Sequence, residues 1–182
     1  MARRGTRKPP PPLDREKLRE LGLTYVGRFA TTRAKLGSYL SRKLRERGWA
    51  GDAPPDIEAV VERLADLGYV DDAAFALSKS RALTSRGYGS RRVTQALRAA
   101  GVGEEEGEPA RELAEAEAVE SALRFARRRK FGPFAHGNKD RAIHERALAA
   151  MIRAGHGFSL SRAILSLEPG AEIDIERLVE IK

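Results

Sequence analysis

Apolar residues recur along this chain at the spacing of amphipathic α-helices. Leu36, Leu40 and Leu44 lie four residues apart, and a second stripe is formed by Ile57, Val60, Val61 and Leu64. Residues at these spacings share one face of a helix. Helix start and stop signals bound the first stripe, since Thr32 precedes it and Gly48 follows it. The pattern predicts short helices that each bury one face.

The same signals predict eight helices and a C-terminal tail. Glycine and proline separate most of the helices, because neither residue continues a helix well. The apolar residues of the tail predict that it docks onto the helices: Ile173, Ile175, Leu178 and Ile181. The predicted helices run from Asp14 toward Ala30, over 32–47, 55–67, 71–86 and 90–100, and over about 109–130, 139–154 and 159–167.

One helix ending occurs three times at an even spacing. Two apolar residues four apart are followed by a glycine in Leu40-x3-Leu44-x3-Gly48, Val93-x3-Leu97-x3-Gly101 and Ala147-x3-Met151-x3-Gly155, and the copies lie 53 and 54 residues apart. Such a period is typical of stacked helical units that bury their apolar faces against each other. We therefore expect an all-α fold, an elongated array of three tandem three-helix repeats. The expected boundaries are 13–70, 71–132 and 133–182, after an arm at 1–12.

Composition narrows the class of protein. The chain has 182 residues, a net charge of +8 and no cysteine, which excludes disulfides, thiolate metal sites and thiol nucleophiles. It has no apolar run long enough for a membrane span, and its basic N-terminus lacks the apolar core of a secretory signal. We expect a cytoplasmic monomer without a cofactor, a metal, a membrane or a small-molecule substrate.

The positive charge is concentrated toward the N-terminus. Residues 1–12 carry four cations and end in four prolines, a composition that predicts a disordered basic arm. Residues 1–100 hold 21 basic and 11 acidic side chains, whereas residues 101–182 hold 13 and 15. Clustered cations favour phosphates or an acidic protein surface as the partner.

One stretch of the chain resembles a known family. The motif Gly68-Tyr69-Val70-Asp71-Asp72-Ala73-Ala74-Phe75-Ala76 is followed by Ser80-Arg81, Arg86-Gly87-Tyr88-Gly89 and Arg91-Arg92-Val93. This series is similar to that of the RecX regulatory proteins, bacterial modulators of the RecA recombinase. The resemblance implies a non-enzymatic regulator that lies in the groove of the RecA filament on DNA. It also implies inhibition of filament extension, strand exchange and coprotease activity, and hence control of DNA repair, homologous recombination and the SOS response. The loop WAGDAPP, the acidic segment 104–108 and the polyproline arm depart from the family pattern.

The candidate contact residues are clustered basic side chains on two predicted helical units. A secondary basic patch at 127–130 has the alternative explanation that cations simply complement a helix C-terminus. The candidates for contact with RecA or DNA are Arg42, Lys43, Arg45, Arg47, Lys79, Arg81, Arg86, Arg91, Arg92, Gln95 and Arg98, and the secondary patch is Arg127, Arg128, Arg129 and Lys130. Within the apolar sector of its helix, Lys79 either extends outward along the surface or reaches a partner. A rival function is a free-standing DNA-binding protein that uses the 90–100 helix for recognition.

The residues give little support for a metal site, a catalytic acid pair or a base-stacking platform. His136, Asp140 and His144 have a metal-like spacing, but Gly137 disfavours the helix that would align them. The adjacent acids Asp71 and Asp72 are interpreted as a cap for the fourth helix rather than as a catalytic pair. Trp49 and Phe75 are predicted core residues, and the aromatic share of 6% predicts no base-stacking platform.

Overall fold

The computed structural model describes residues 10–136 and 141–182, and these residues form an all-α fold of ten α-helices. Residues 1–9 of the predicted arm at 1–12, and the predicted helix start at 139 and 140, lie outside the described residues. Within the described residues, no helix is both long and apolar enough to cross a membrane. The helices are α1 (Arg15–Val26), α2 (Arg33–Arg47), α3 (Ile57–Asp66), α4 (Asp72–Thr84), α5 (Ser90–Ala99), α6 (Glu104–Ala116), α7 (Ala118–Arg129), α8 (Arg141–Arg153), α9 (Phe158–Ser166) and α10 (Ile175–Ile181).

The first compact unit ends at Asp72 and contains α1, α2 and α3. Its core combines the predicted stripes of α2 and α3 with two leucines before and within α1 and a valine after α3. The buried core residues are Leu13, Leu18, Leu36, Leu40, Val60, Val61, Leu64 and Val70. Gly22 lies at the contact of α1 with α3, where a Cβ would approach Leu64 to 3.0 Å. A glycine in the middle of α1 weakens that helix, and here it allows the two helices to pack closely.

The second compact unit begins at Ala73 and holds two core clusters. The smaller cluster joins α4, α5 and α6 through Ala76, Val93, Leu97, Ala110 and Ala114. The larger one joins α7 to α10 around Phe125, Met151, Leu160 and Ile164. The predicted repeat boundaries at 70/71 and 132/133 stay predictions.

The structure corrects the sixth predicted helix, which was expected as one long helix over 109–130. Helix α6 begins at Glu104, includes Pro109, and is followed after Glu117 by the separate helix α7. Three glutamates in the first turn favour this start through the helix dipole. The guanidinium of Arg111 donates to the main-chain oxygen of Glu104 and pairs with Glu108, which holds the turns around the proline together. The break at Glu117 lets the apolar faces of α6 and α7 enter different cores.

The C-terminal tail docks through two of its four predicted residues, whereas Ile175 and Ile181 are exposed. It forms α10, in which Leu178 is buried, and Ile173 packs against the larger core cluster of the second unit. The ammonium group of Lys182 donates to the main-chain oxygen of Glu115 at 2.8 Å.

Candidate interaction surface

One segment of the described chain, 73–100, carries positive charge without any acidic residue, and we call it the acid-free block. It contains six cations and no aspartate or glutamate. All six cationic residues are exposed: Lys79, Arg81, Arg86, Arg91, Arg92 and Arg98. Lys79 is exposed, so its side chain extends out of the apolar sector of its helix. Phe75, one turn earlier, is only half-buried rather than enclosed in a core.

The orientation of α5 within this block follows from its amphipathic pattern. Val93 and Leu97 are buried against α6, which turns Arg91 and Arg98 outward. The N-terminus of α5 is held by the turn between α8 and α9. There the amide of Gly89 donates to the carbonyl of Ala154 at 3.0 Å, and the amide of Arg91 donates to that of Gly155 at 3.2 Å. Two main-chain hydrogen bonds therefore join the block to this turn.

A groove of about 590 Å³ separates the outer faces of α5 and α6. One wall carries Arg91, Gln95 and Arg98, and the other carries Glu108, Arg111, Glu112 and Glu115. Arg98 also lies 4.0 Å from the carboxylate of Glu104. Three glutamates face α5, the helix considered for DNA recognition. A phosphate backbone entering this groove would therefore be attracted by the arginines of α5 and repelled by the glutamates of α6. The sequence pattern did not show this acidic wall, since α5 and α6 meet only in the folded unit.

The secondary basic patch meets the acid-free block in the second unit. The guanidinium of Arg128 donates to the main-chain oxygen of Arg86 at 2.5 Å. Arg128 and Arg129 also lie over the ring of Phe125, at 5.6 and 5.9 Å, and Arg127 lies 4.9 Å from the ring of Phe134. Two separate candidates in the sequence thus form one basic region.

The basic cluster of the first unit lies on α2. Arg42 and Lys43 share Glu46 as an ion-pair partner, at 3.7 and 2.6 Å, and Arg47 donates to the carbonyl of Pro11 at 2.8 Å. Hydrogen bonding to Lys43 lowers the pKa of the Glu46 carboxyl below its usual value. Arg45 is exposed on the same helix. Three of the four candidates therefore have partners within their own unit.

Asp72 has a role beyond the predicted one at the start of the fourth helix. It is the first residue of α4, is buried, and accepts a hydrogen bond from the amide of Arg33 at 2.9 Å. Arg33 opens α2, whose own cap Thr32 accepts from the amide of Lys35 at 3.2 Å. The carboxylate thus satisfies a free amide at the start of a helix 39 residues earlier in the chain. Local sequence signals cannot identify such a partner.

The histidines do not form a metal site among the described residues, and those residues contain no group of three potential metal ligands. His136 is exposed and His144 is half-buried, whereas Asp140 lies outside the described residues. His156 is buried, with Nε2 at 3.1 Å from the carbonyl oxygen of Gly87. Burial lowers the pKa of His156 from its usual 6.5 to about 4, against a smaller opposing effect of the hydrogen bond. This histidine is neutral at physiological pH.

Comparison with known proteins agrees with this arrangement of helices. Residues 71–108, which include the acid-free block, match the family model for the second three-helix domain of RecX. The regulatory protein RecX of Myxococcus xanthus is 32% identical over 162 residues, covering 84% of this chain and 86% of that protein. The chain belongs to the RecX family. The regulatory protein RecX of Halorhodospira halophila is a further relative, 30% identical, with coverage of 89% of this chain and 92% of its own length.

Solved structures show the same RecX fold. The crystal structure of RecX from Lactobacillus salivarius aligns with a TM-score of 0.58 at 19% identity, over 82% of this chain and 92% of that one. Another crystal structure of a RecX regulatory protein aligns with a TM-score of 0.57 at 21% identity, over 79% of this chain and 68% of that one. Tandem helical repeats are thus the architecture of this RecX family member.

Proposed function

We propose that this RecX family member regulates a RecA-type recombinase by binding its filament on DNA. In this proposal, the protein lies in the filament groove and limits extension, strand exchange and coprotease activity. Regulation of DNA repair, homologous recombination and the SOS response would follow from that single contact. The protein would act without catalysis, as a cytoplasmic monomer.

The observation that carries the proposal is the acid-free block. Five of its six exposed cations lie on α4 and α5 and Arg86 lies in the turn between them, all inside the segment that matches the RecX family model. The relatives are named regulatory proteins, which supports a regulatory role for this chain. Clustered exposed cations attract a partner of opposite charge and accelerate association. A filament built on DNA provides such a partner, through phosphates or through acidic side chains.

The proposal is tested with purified recombinase on single-stranded DNA. Substoichiometric amounts of this protein should suppress both strand exchange and DNA-dependent ATP turnover, because one bound molecule blocks the addition of many further subunits. The measurements are joint-molecule formation and phosphate release as functions of the ratio of this protein to recombinase. Normal filament extension at saturating protein would refute the proposal.

The rival function, free-standing DNA recognition by α5, predicts a different result. It requires tight and salt-sensitive binding to duplex DNA without recombinase, lost on Arg91→Ala and Arg98→Ala. The glutamates opposite α5 argue against it, because they face the groove that the DNA would occupy. Equal binding of duplex DNA by the wild type and by both variants would exclude α5 as the recognition helix.

A further inference from the structure

Three aromatic side chains of the first unit form a stack that the composition did not predict. The rings of Tyr25 and Tyr39 are stacked with centroids 4.2 Å apart and an interplanar angle of 20°. The ring of Phe29 lies 5.2 Å from that of Tyr25, tilted by 46°. We call these three residues the aromatic stack. It joins the end of α1, the turn that follows, and the middle of α2.

Local hydrogen bonds position the main chain at Phe29, the outermost residue of the stack. After α1 ends, the amides of Arg28 and Phe29 both donate to the carbonyl of Tyr25, at 3.1 and 3.0 Å. Tyr25 and Tyr39 pack against the core of the unit, whereas the Phe29 residue is 57% exposed. Phe29 is therefore an exposed residue beside two half-buried rings. Most of its surface is available to a partner.

Cationic side chains of α2 lie on the same side of that helix as the stack. Helix α2 carries six cations and one acid, and Lys35, Arg42 and Lys43 are four residues before, three after and four after Tyr39, on its side of the helix. The guanidinium of Arg42 lies 5.7 Å from the Tyr39 ring. Glu46 pairs with both Arg42 and Lys43, so this side of α2 keeps a positive excess.

We propose that the aromatic stack and the cations of α2 form a binding site for single-stranded DNA, in which an unpaired base stacks on Phe29 and phosphates contact Arg42 and its neighbours. Exposed aromatic rings beside cations are the arrangement by which proteins bind single strands without sequence preference. A duplex hides the faces of its bases, so it cannot use the Phe29 ring. The choice of DNA as the nucleic acid rests on the proposed function, in which the partner filament assembles on DNA.

The test measures binding without recombinase, by fluorescence anisotropy of a labelled 20-nucleotide deoxythymidine strand. Phe29→Ala should weaken binding about tenfold, since stacking contributes about 1 to 3 kcal/mol per base and 1.4 kcal/mol corresponds to a factor of ten. Phe29→Trp should retain the wild-type affinity. Arg42→Gln should reduce the slope of log affinity against log salt by about 0.7, the value for one phosphate contact on a single strand.

Tyr69→Ala is the matched control, because Tyr69 is 54% exposed in the same unit but does not belong to the aromatic stack. It should bind the strand as the wild type does. A blunt-ended duplex, made by pairing the deoxythymidine strand with its deoxyadenosine complement, should bind Phe29→Ala and the wild type equally. Wild-type affinity of Phe29→Ala for the single strand, or an equal loss in Tyr69→Ala, would overturn the inference. Because recombinase is absent, this failure would be separate from failure of the proposed function.

Discussion

His156 connects two parts of the second unit through a side chain that must stay neutral. Its Nε2 atom lies 3.1 Å from the carbonyl oxygen of Gly87, so this nitrogen carries the proton and donates. The other ring nitrogen, Nδ1, is buried without a hydrogen-bond partner, and the ring lies 5.6 Å from that of Phe125. Protonation at Nδ1 would place a charge in apolar surroundings.

The stability of the protein should therefore fall as the pH falls from about 6.5 toward 4. The pKa of His156 is lowered to about 4 in the folded state, so the unfolded chain binds more protons within this window. We expect a loss of about 2 kcal/mol in the free energy of unfolding between pH 7 and pH 5 from this residue. Urea unfolding followed by circular dichroism at the two pH values measures it.

The matched pair of variants for this prediction is His156→Gln and His144→Gln. The first should be less stable at pH 7 and should lose the contribution of His156 to the pH dependence. The second should keep that contribution, because His144 is only half-buried. If His156→Gln retained the full wild-type slope, the pH dependence would originate from another group.

Helix ends show how far local signals determine this structure. The glycines of all three repeated endings have positive φ, at Gly48, Gly101 and Gly155, as the pattern predicted. In the last two, the following residue donates back to the last turn: Val102 to Leu97 and His156 to Met151, each at 3.1 Å. After Gly48 the chain instead pairs with the segment before α1, and Leu13 donates to the carbonyl of Gly48 at 2.9 Å. The sequence motif predicts the turn, but the first copy continues in a different direction because Leu13 supplies another partner.

Contacts between elements are the part that the sequence did not predict. Amphipathic spacing predicted the buried faces of α2, α3 and α5 and the exposure of Arg42, Arg45, Arg91 and Arg98. The bond from Arg33 to Asp72, the glutamates opposite α5 and the aromatic stack all join residues brought together by packing of separate helices. The low aromatic content did not predict the aromatic stack, because composition does not report where the few rings lie.

The approach of α5 to the turn after α8 should be sensitive to a single methyl group. A Cβ at Gly89 would overlap the carbonyl oxygen of Gly155, which belongs to the backbone and has no freedom to rotate away. Gly89→Ala should destabilise the protein by about 1 to 3 kcal/mol, the usual cost of overpacking. Thermal unfolding by circular dichroism measures the change.

Gly37→Ala is the matched control, and it should change the stability in the opposite direction. Gly37 lies inside α2, and its added Cβ would meet the nearest side-chain atom, of Val61, at an ordinary 3.9 Å. This variant should stabilise the protein by up to about 1 kcal/mol, because alanine favours the helix more than glycine does. A neutral Gly89→Ala would show that α5 and the turn can move apart without cost.

At the scale of the whole molecule, the net charge of each compact unit differs from what the sequence halves suggest. When the sequence is divided at residue 100, all of the excess positive charge falls in the N-terminal part. Division at the unit boundary gives 15 basic and 11 acidic residues in 1–72, and 19 and 15 in 73–182, so each unit has a net charge of +4. The asymmetry lies within the second unit, where the acid-free block has +6 and the rest has −2.

Filament binding should therefore depend on where the charge lies and not only on its total. The double variant Arg91→Glu and Arg98→Glu and the double variant Arg146→Glu and Arg162→Glu both reduce the net charge from +8 to +4. All four positions are exposed, and the last two lie outside the acid-free block. The ion pair of Arg98 with Glu104 is exposed, so its loss has little effect on stability.

We expect the first double variant to bind recombinase filaments roughly tenfold more weakly than the wild type at 0.1 M salt, because it reverses charge at the proposed contact. The second should bind within about twofold of the wild type, since long-range attraction is screened beyond about 10 Å at this ionic strength. Co-sedimentation with filaments measures both affinities. Equal weakening of the two variants would show that net charge alone drives binding, and the acid-free block would then have no special role in the complex.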